Sequence, residues 1–491
     1  MATMTGSMWS FAATELRELQ IHLRNGRLRV QRGDSPEVIV TVADDQDIAQ
    51  VLQAELNDGT LTLTQRGVPL RAHVESPRGN LDFDFGLNGF MDGMMDVVDG
   101  VMEAVEGIGG LTRGQPGERE RNRPAWSGHH GVDVTVSLPA ALELPTLSAR
   151  LDRGDVEALN VYGVITLHTG LGNLTLTGCG RTVSAKTGRG AVLVTGCSGD
   201  LDLHTGMGDV RLVECDGKAS AHSGKGTVRL ERCRLEGSCH TGQGDLWLEG
   251  LVGSGVFRTG AGTMTVVRPD AADLDIQSGM GDVLVQGGHA HRLRAHGGAG
   301  TVRCHDLHVT GELDLHTGMG NVVARGGSAG RLRIKSGAGN VECATALGAG
   351  DHELETGAGN IEVRLADNAR VRLDAVSRMG SVHSDFDLVK VGRPGPVTLG
   401  GGRFVGSIGA GEAVAALHIK TGAGNIAIRR SHETWSAEQP APVANQTANQ
   451  EEPSSAPASA ERMRLAILHS LQRHEISVEE AMILLEKSAT P

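Results

Sequence analysis

A seven-residue unit recurs along this chain and constrains its fold more than any other feature: basic or His, Thr or Ser, Gly, any residue, Gly, Asn or Asp, aliphatic. It reads HTGLGNL from His168, KTGRGAV from Lys186, HTGMGDV from His204, HSGKGTV from His222, HTGQGDL from His240 and RTGAGTM from Arg258, spaced 18 residues apart without a slip. The spacing then relaxes to 19 or 20 residues at Gln277, His296, His316, Lys335 and Glu355. Weaker copies lie at Arg150 and near Val376, and a last clear one at Lys420. A period of this length is the mark of a solenoid, in which each unit buries its apolar face only by stacking on the next.

Aligning the copies gives columns. Leu174, Val192, Val210, Val228, Leu246, Met264, Val283, Val302, Val322, Val341, Ile361 and Ile426 share one position, and Leu176, Val194, Leu212, Leu230, Leu248, Val266 and Val285 share another two residues on. Before the Gly-x-Gly, Leu201 and Leu203, Leu313 and Leu315, and Leu332 and Ile334 give an opposing strand. Both runs alternate with period 2, so each strand buries one face. One coil is therefore strand, Gly-x-Gly corner, strand and a second turn such as CDGK. The corner demands glycine for a positive φ or a close backbone approach. The expectation is an all-β, right-handed parallel β-solenoid of about 14 coils and roughly 65–70 Å, with handedness taken from the general rule for parallel crossovers.

The flanks break the period. Residues 1–14 are expected to be disordered, and 15–66, with hairpin signals at Asn25-Gly26 and Asp58-Gly59, to form a β cap or the first strands of the solenoid. Residues 67–125 form a Gly/Met/acidic insertion, 126–431 the solenoid, and 432–460 a Pro/Ala/Gln/Ser linker expected to be disordered. Residues 461–491 read as a helical hairpin: Leu465, Leu468 and Leu471 stripe the first helix, and Ser477 with Glu480 caps the second, which carries Leu484 and Leu485.

These residues resemble the bacterial putative-adhesin β-strand-repeat family, a domain of unknown function built of Gly-x-Gly-Asn/Asp-Ile/Val repeats. The resemblance rests on the repeats, on the lead-in VDVTVSLPAALELPTLSARLDRGDVEALNV, and on the exit GSVHSDFDLVK followed by GGRFVGSIGAGEAVAALHIKTGAGNIAIRR. The tail resembles a SHOCT-like helical hairpin. The family resemblance implies a right-handed β-helix, no known enzymatic activity, and a loose association with cell-envelope stress.

Composition narrows the function. Lys+Arg 46 against Asp+Glu 59 in 491 residues leaves a net charge of −13, which argues against a general nucleic-acid binder. No basic n-region with an apolar h-region opens the chain, and no run of ~18 apolar residues occurs, so the protein is expected to be cytoplasmic with no integral membrane segment. All seven cysteines fall in register: Cys179, Cys197, Cys215 and Cys233 stack at the second turn, Cys239 joins the column of Leu203, and Cys304 and Cys343 join that of Leu212. They read as reduced apolar fillers. His168, His204, His222, His240, His296 and His316 share an outward column, but Lys186, Arg258, Lys335 and Glu355 occupy it too, so a solvated edge is expected rather than a metal site. Threonines such as Thr205 share the parity of Leu203 and should point inward at the corner to satisfy backbone groups.

The Gly-x-Gly units lack the helix and Lys of a phosphate loop. Asp209, Asp245 and Asp282 interchange with Asn173, Asn321, Asn340 and Asn360, which reads as turn chemistry rather than acid–base work. No catalytic residue, cofactor or metal is assigned. The expected contact elements are Phe90, Met94, Val98, Val101 and Met102 on one helical face of segment 87–108, and Leu465, Leu468, Leu471, Leu484 and Leu485 of the hairpin, serving a protein partner or self-association. The chain thus reads as a non-enzymatic scaffold or interaction protein. The alternatives are a self-assembling bactofilin-like polymer and a carbohydrate-binding or carbohydrate-active β-helix.

Overall fold

At the Gly-x-Gly corner, each coil lies so close to the one before it that a side chain has nowhere to go. A Cβ on Gly208 would fall 2.0 Å from the carbonyl oxygen of Gly190, one coil earlier, at a φ of +154°. The computed structural model describes residues 3–5, 7–13, 16–42, 48–66, 131–140, 142, 146–366, 369–391, 401–409 and 412–431. Almost all of them are strand, and the one α-helix among them is the four-residue Ile48–Val51.

Each regular coil pairs a long strand, such as Ser198–Met207, with a short one, such as Val210–Val213. Long strands pair in parallel with long strands and short with short, giving two ladders. The long ladder stacks Thr60–Gln65, Glu18–Asn25, Thr146–Arg153 and Tyr162–Leu171, then each repeat in turn to Gly350–Ala358, and ends with Ala415–Ala423 and Val371–Met379. The short ladder begins Val134–Pro139, Leu28–Gly33, Val156–Leu159 and closes Ile361–Ala366, Ile426–Ser431, Val382–Ser384. The fold is a β-solenoid, and its ladders extend beyond the recognisable repeat at both ends.

The core is the stacked aliphatic columns. Val192, Val210 and Val228 pair rung to rung and are fully buried, as are Leu203, Leu212 and Leu248. A regular hydrogen-bond pattern ties the coils together at the corner. Thr205 Oγ1 donates to Gly190 O at 2.9 Å, Ser223 Oγ to Gly208 O at 2.9 Å and Thr241 Oγ1 to Gly226 O at 2.9 Å. One residue past the second glycine, Asp209 Oδ1 accepts from Thr227 N at 2.7 Å and Asn340 Oδ1 from Asn360 N at 2.9 Å. Asp and Asn interchange there because either supplies the accepting oxygen.

Chain order and spatial order part company at the ends. The coil formed by Ala415–Ala423 and Ile426–Ser431 sits between the coil of Gly350–Ala358 and that of Val371–Met379, although it comes last in sequence. The corner bonds follow the spatial order: Thr421 Oγ1 donates to Gly359 O at 3.0 Å and Ser377 Oγ to Gly424 O at 3.1 Å. At the other end, Glu18–Asn25 and Leu28–Gly33 lie inside an outermost rung made of Thr60–Gln65 and Val134–Pro139.

Antiparallel strands then cover both ends of the long ladder and the first strand of the short one. Leu52–Asn57 pairs with Thr60–Gln65, and Glu37–Val42 with Val134–Pro139. At the far end Gly402–Ile408 covers Val371–Met379 and carries Val389–Val391 on its other edge. One expectation fails here: within residues 1–14, Met8–Ala12 is a strand on Glu37–Val42. Trp9 and Phe11 supply the reason, since both are buried, with ring centroids 6.5 Å apart edge to face.

Two glycines make the corner testable. Gly208→Ala should cost more than about 4 kcal/mol, because the clash is with backbone. Gly196, at φ +61° with nothing within 4 Å of a Cβ, occupies the position that Glu214 and Arg232 take in the next coils. Gly196→Ala should therefore cost only about 1–2 kcal/mol of left-handed strain. Urea melts of the two variants would be compared, and equal losses would contradict the corner geometry. Val210→Asp, which buries an unpaired charge, should unfold several coils, and an unchanged melt would refute the column assignment.

Candidate functional site

The larger of two shallow depressions, about 490 Å³, is lined by Glu236, Asp273, Asp275, Arg292 and Arg294 among others. Two of its three carboxylates are engaged: Arg292 holds Asp273 at 3.2 Å, and Asp275 accepts from Gln277 at 3.1 Å. The smaller, about 180 Å³, lies beside His352, which is fully buried in the position that Leu332 fills one coil earlier. His352 Nδ1 accepts from Leu332 N at 3.0 Å and its Nε2 donates to Gly348 O at 2.9 Å, so the ring is a neutral core group. Burial accordingly lowers its pKa.

What the fold does present is a set of outward columns. The first runs up the long strands in register: His22, Arg150, His168, Lys186, His204, His222, His240, Arg258, Gln277, His296, His316 and Lys335. Its imidazoles stack, with ring centroids 5.6 Å apart for His204 and His222 and 5.1 Å for His222 and His240. Stacking and partial burial work against protonation. Burial first, then the like charges of His240 and His204, push His222 down to about 4. Burial also lowers His168, His240 and His316. Among the described residues, no group of three or more His, Cys, Asp or Glu side chains is arranged to hold a metal ion.

The second column is the variable residue of Gly-x-Gly. From Ala261 it reads Met280, Ala299, Met319, Ala338, Ala358, Ala423 and Met379, rung on rung. Met280, Met319 and Met379 are 64, 66 and 56 % exposed, so this is a continuous apolar stripe on the surface. It was open to discovery in the alignment, but attention there falls on the invariant glycines rather than on the residue between them.

Two expectations are met at the corner. Threonines and serines from Thr169 to Thr421 are buried and bonded to glycine carbonyls, as their parity required. All seven cysteines are free and buried. Val161 and Leu251 fill the same turn position in the coils flanking Cys179, Cys197, Cys215 and Cys233, consistent with an apolar filler. Cys179 N donates to Cys197 Sγ at 3.3 Å. Burial pushes Cys239, Cys304 and Cys343 up to about 12.

The expected contact residues Phe90, Met94, Val98, Val101 and Met102, and Leu465, Leu468, Leu471, Leu484 and Leu485, lie outside the described residues. So does the SHOCT-like hairpin. The structure places only the flanks of the insertion. Gln65 Oε1 accepts from Arg24 N and Asn25 N, and Val132 N donates to Asn25 O, so both flanks meet at the corner of the outermost rung. Among the described residues no helix is long and apolar enough to cross a membrane.

Residues 256–429 match the Toastrack DUF4097 family model. This supports the adhesin-like repeat resemblance across the second half of the solenoid. No curated protein matches. A solved structure described as a "putative cell adhesion protein", from Clostridium sporogenes ATCC 15579, is 8 % identical and covers 87 % of this chain and 100 % of its own. Its TM-score is 0.14, so the fold assignment rests on the strand register alone.

The lowered histidines set a pH dependence. The unfolded chain binds protons near pH 6.5, while His168, His222, His240, His316 and His352 resist protonation in the fold. Below pH 6.5 the unfolded state holds more protons, so stability falls as pH drops from 6.5 toward 4. Melting temperatures measured across that window should decline, and a flat profile would contradict the burial of these rings.

Proposed function

We propose that this chain is a non-enzymatic interaction rod of fixed length, which uses its outward columns and the elements that interrupt the repeat as contact surfaces. The observation that carries this reading is the contrast between the ends and the sides. Antiparallel strands cover the long ladder at both ends and the short ladder at its Val134–Pro139 end, so an incoming coil meets no parallel template in register along the long strands. Along the sides the columns run from coil to coil and offer a long repetitive surface. The Toastrack match over residues 256–429 supports a scaffold-type fold. Seven buried, unlinked thiols suit a reducing compartment, which supports a cytoplasmic setting.

Segment 87–108 and the 461–491 hairpin remain our proposed contact elements, on the strength of their apolar faces. Negative-stain microscopy with light scattering over a hundredfold concentration range tests the reading. Rods of constant length are expected; filaments that lengthen with concentration would instead favour a bactofilin-like polymer. Deleting 461–491 should leave the melting of the rod unchanged while abolishing its association, as read by sedimentation. A loss of fold on that deletion would show that the tail is part of the core.

A further inference from the structure

The column that begins at His22 is lopsided in charge. In a chain with Asp+Glu 59 and Lys+Arg 46, an outward column should collect several carboxylates. From His22 to Lys335 this one has none. The neighbouring Gly-x-Gly column adds Arg153, Arg189 and Lys225 and is likewise free of acids from Arg153 to Met379. Rungs ~4.8 Å apart make the His22–Lys335 column roughly 50 Å long.

Elsewhere on the rod, arginines close onto carboxylates. Arg29 pairs with Glu157 at 3.0 Å, Arg303 with Asp282 at 2.7 Å, Arg325 with Glu342 at 2.7 Å and Arg403 with Asp374 at 2.7 Å. On this face Lys335, at the far end, meets Glu353 at 3.5 Å and Glu355 at 3.4 Å, and Lys186 and His204 share Asp202 at 3.6 and 2.9 Å, but Arg150, Arg153, Arg189 and Lys225 make no ion pair among the described residues. On the other side of the cationic column runs a column of hydroxyls, Ser148, Thr166, Ser184, Ser220 and Ser238, interrupted by the single carboxylate of Asp202 between Ser184 and Ser220. All are exposed or half-buried.

We propose that this face binds a linear acidic polysaccharide laid along the rod axis, with its carboxylates on Arg150, Arg153, Lys186, Arg189 and Lys225 and its hydroxyls against the neighbouring serines and threonine and the neutral imidazoles. The column is one residue wide and many rungs long, which suits a single extended chain rather than a globular ligand. Cations at a fixed spacing recruit a polyanion by releasing its counterions. The paired hydroxyl column favours a sugar polymer over single-stranded nucleic acid, which relies on aromatic stacking platforms. This inference rests on the interaction-rod reading only in using the side of the rod as its surface. If it fails, the constancy of rod length stands as before.

The test uses the full chain with polygalacturonate, followed by titration calorimetry at low and moderate salt. Neutral dextran, polyphosphate and single-stranded DNA serve as comparisons. The column variant carries Arg150→Gln, Lys186→Gln and Arg189→Gln. A control with the same charge change carries Arg181→Gln, Lys218→Gln and Arg234→Gln, at the other end of the long strands. Melting curves first establish that both variants fold.

Polygalacturonate should bind the native chain, weaken with salt, and lose about tenfold or more in affinity in the column variant but no more than about twofold in the control. Absence of binding by the native chain, or equal losses in the two variants, would overturn the proposal. Dextran, polyphosphate or DNA bound as tightly as polygalacturonate would overturn the assignment of ligand class.

Discussion

The structure depends on one close approach: the glycine carbonyl of each corner occupies the space where the next coil would carry a Cβ. Gly172, Gly190, Gly208, Gly226 and Gly244 each sit with the preceding glycine oxygen about 2.0–2.2 Å from that absent atom. Such proximity lets the inward Thr or Ser hydroxyl reach the carbonyl one coil back, and lets the Asp or Asn side chain reach the amide one coil on. Three residues of the seven-residue unit therefore share a single task, which is to hold consecutive coils at ladder spacing. The aliphatic columns gain their burial only because the corner keeps them stacked.

That division of labour explains what could be read from the sequence. The columns of Val210 and Leu212, the inward threonines, the Asp/Asn interchange and the cysteines among the fillers all follow from a fixed period, because in-register stacking turns sequence spacing into contact. The ends were illegible for the same reason. The pairing of Glu18–Asn25 with Thr146–Arg153, and of Gly350–Ala358 with Ala415–Ala423, spans intervals unrelated to the repeat. Trp9 and Phe11 form a strand too short to show a period. The candidate surfaces were half visible: the histidines and the copy at Arg150 stood out, whereas the continuation of the column to His22 emerged only with the register.

Stability and presentation are separated by parity. Every second side chain of a long strand belongs to the core or the corner, and its neighbours are free to vary. Lys, Arg, His, Gln and Glu all occupy the same outward position without disturbing the pairing beneath. Surface character can thus drift along the rod, cationic in the earlier coils and apolar with Ala and Met beside the later corners, while the backbone stays constant.

The placement of the last coil inside the stack rather than at its tip bears on how the molecule is made. A chain emerging from synthesis would reach Val371–Met379 and Gly402–Ile408 before the strands that must lie between them and Gly350–Ala358 exist. The terminal rung then has no parallel neighbour on its inner side until residues 415–431 arrive. Closure of the rod therefore waits on residues 415–431, after the strands on both sides of their slot have been made. A product ending before residue 415 would expose an open slot one coil wide, flanked by unpaired backbone, which is the kind of surface that quality-control machinery recognises.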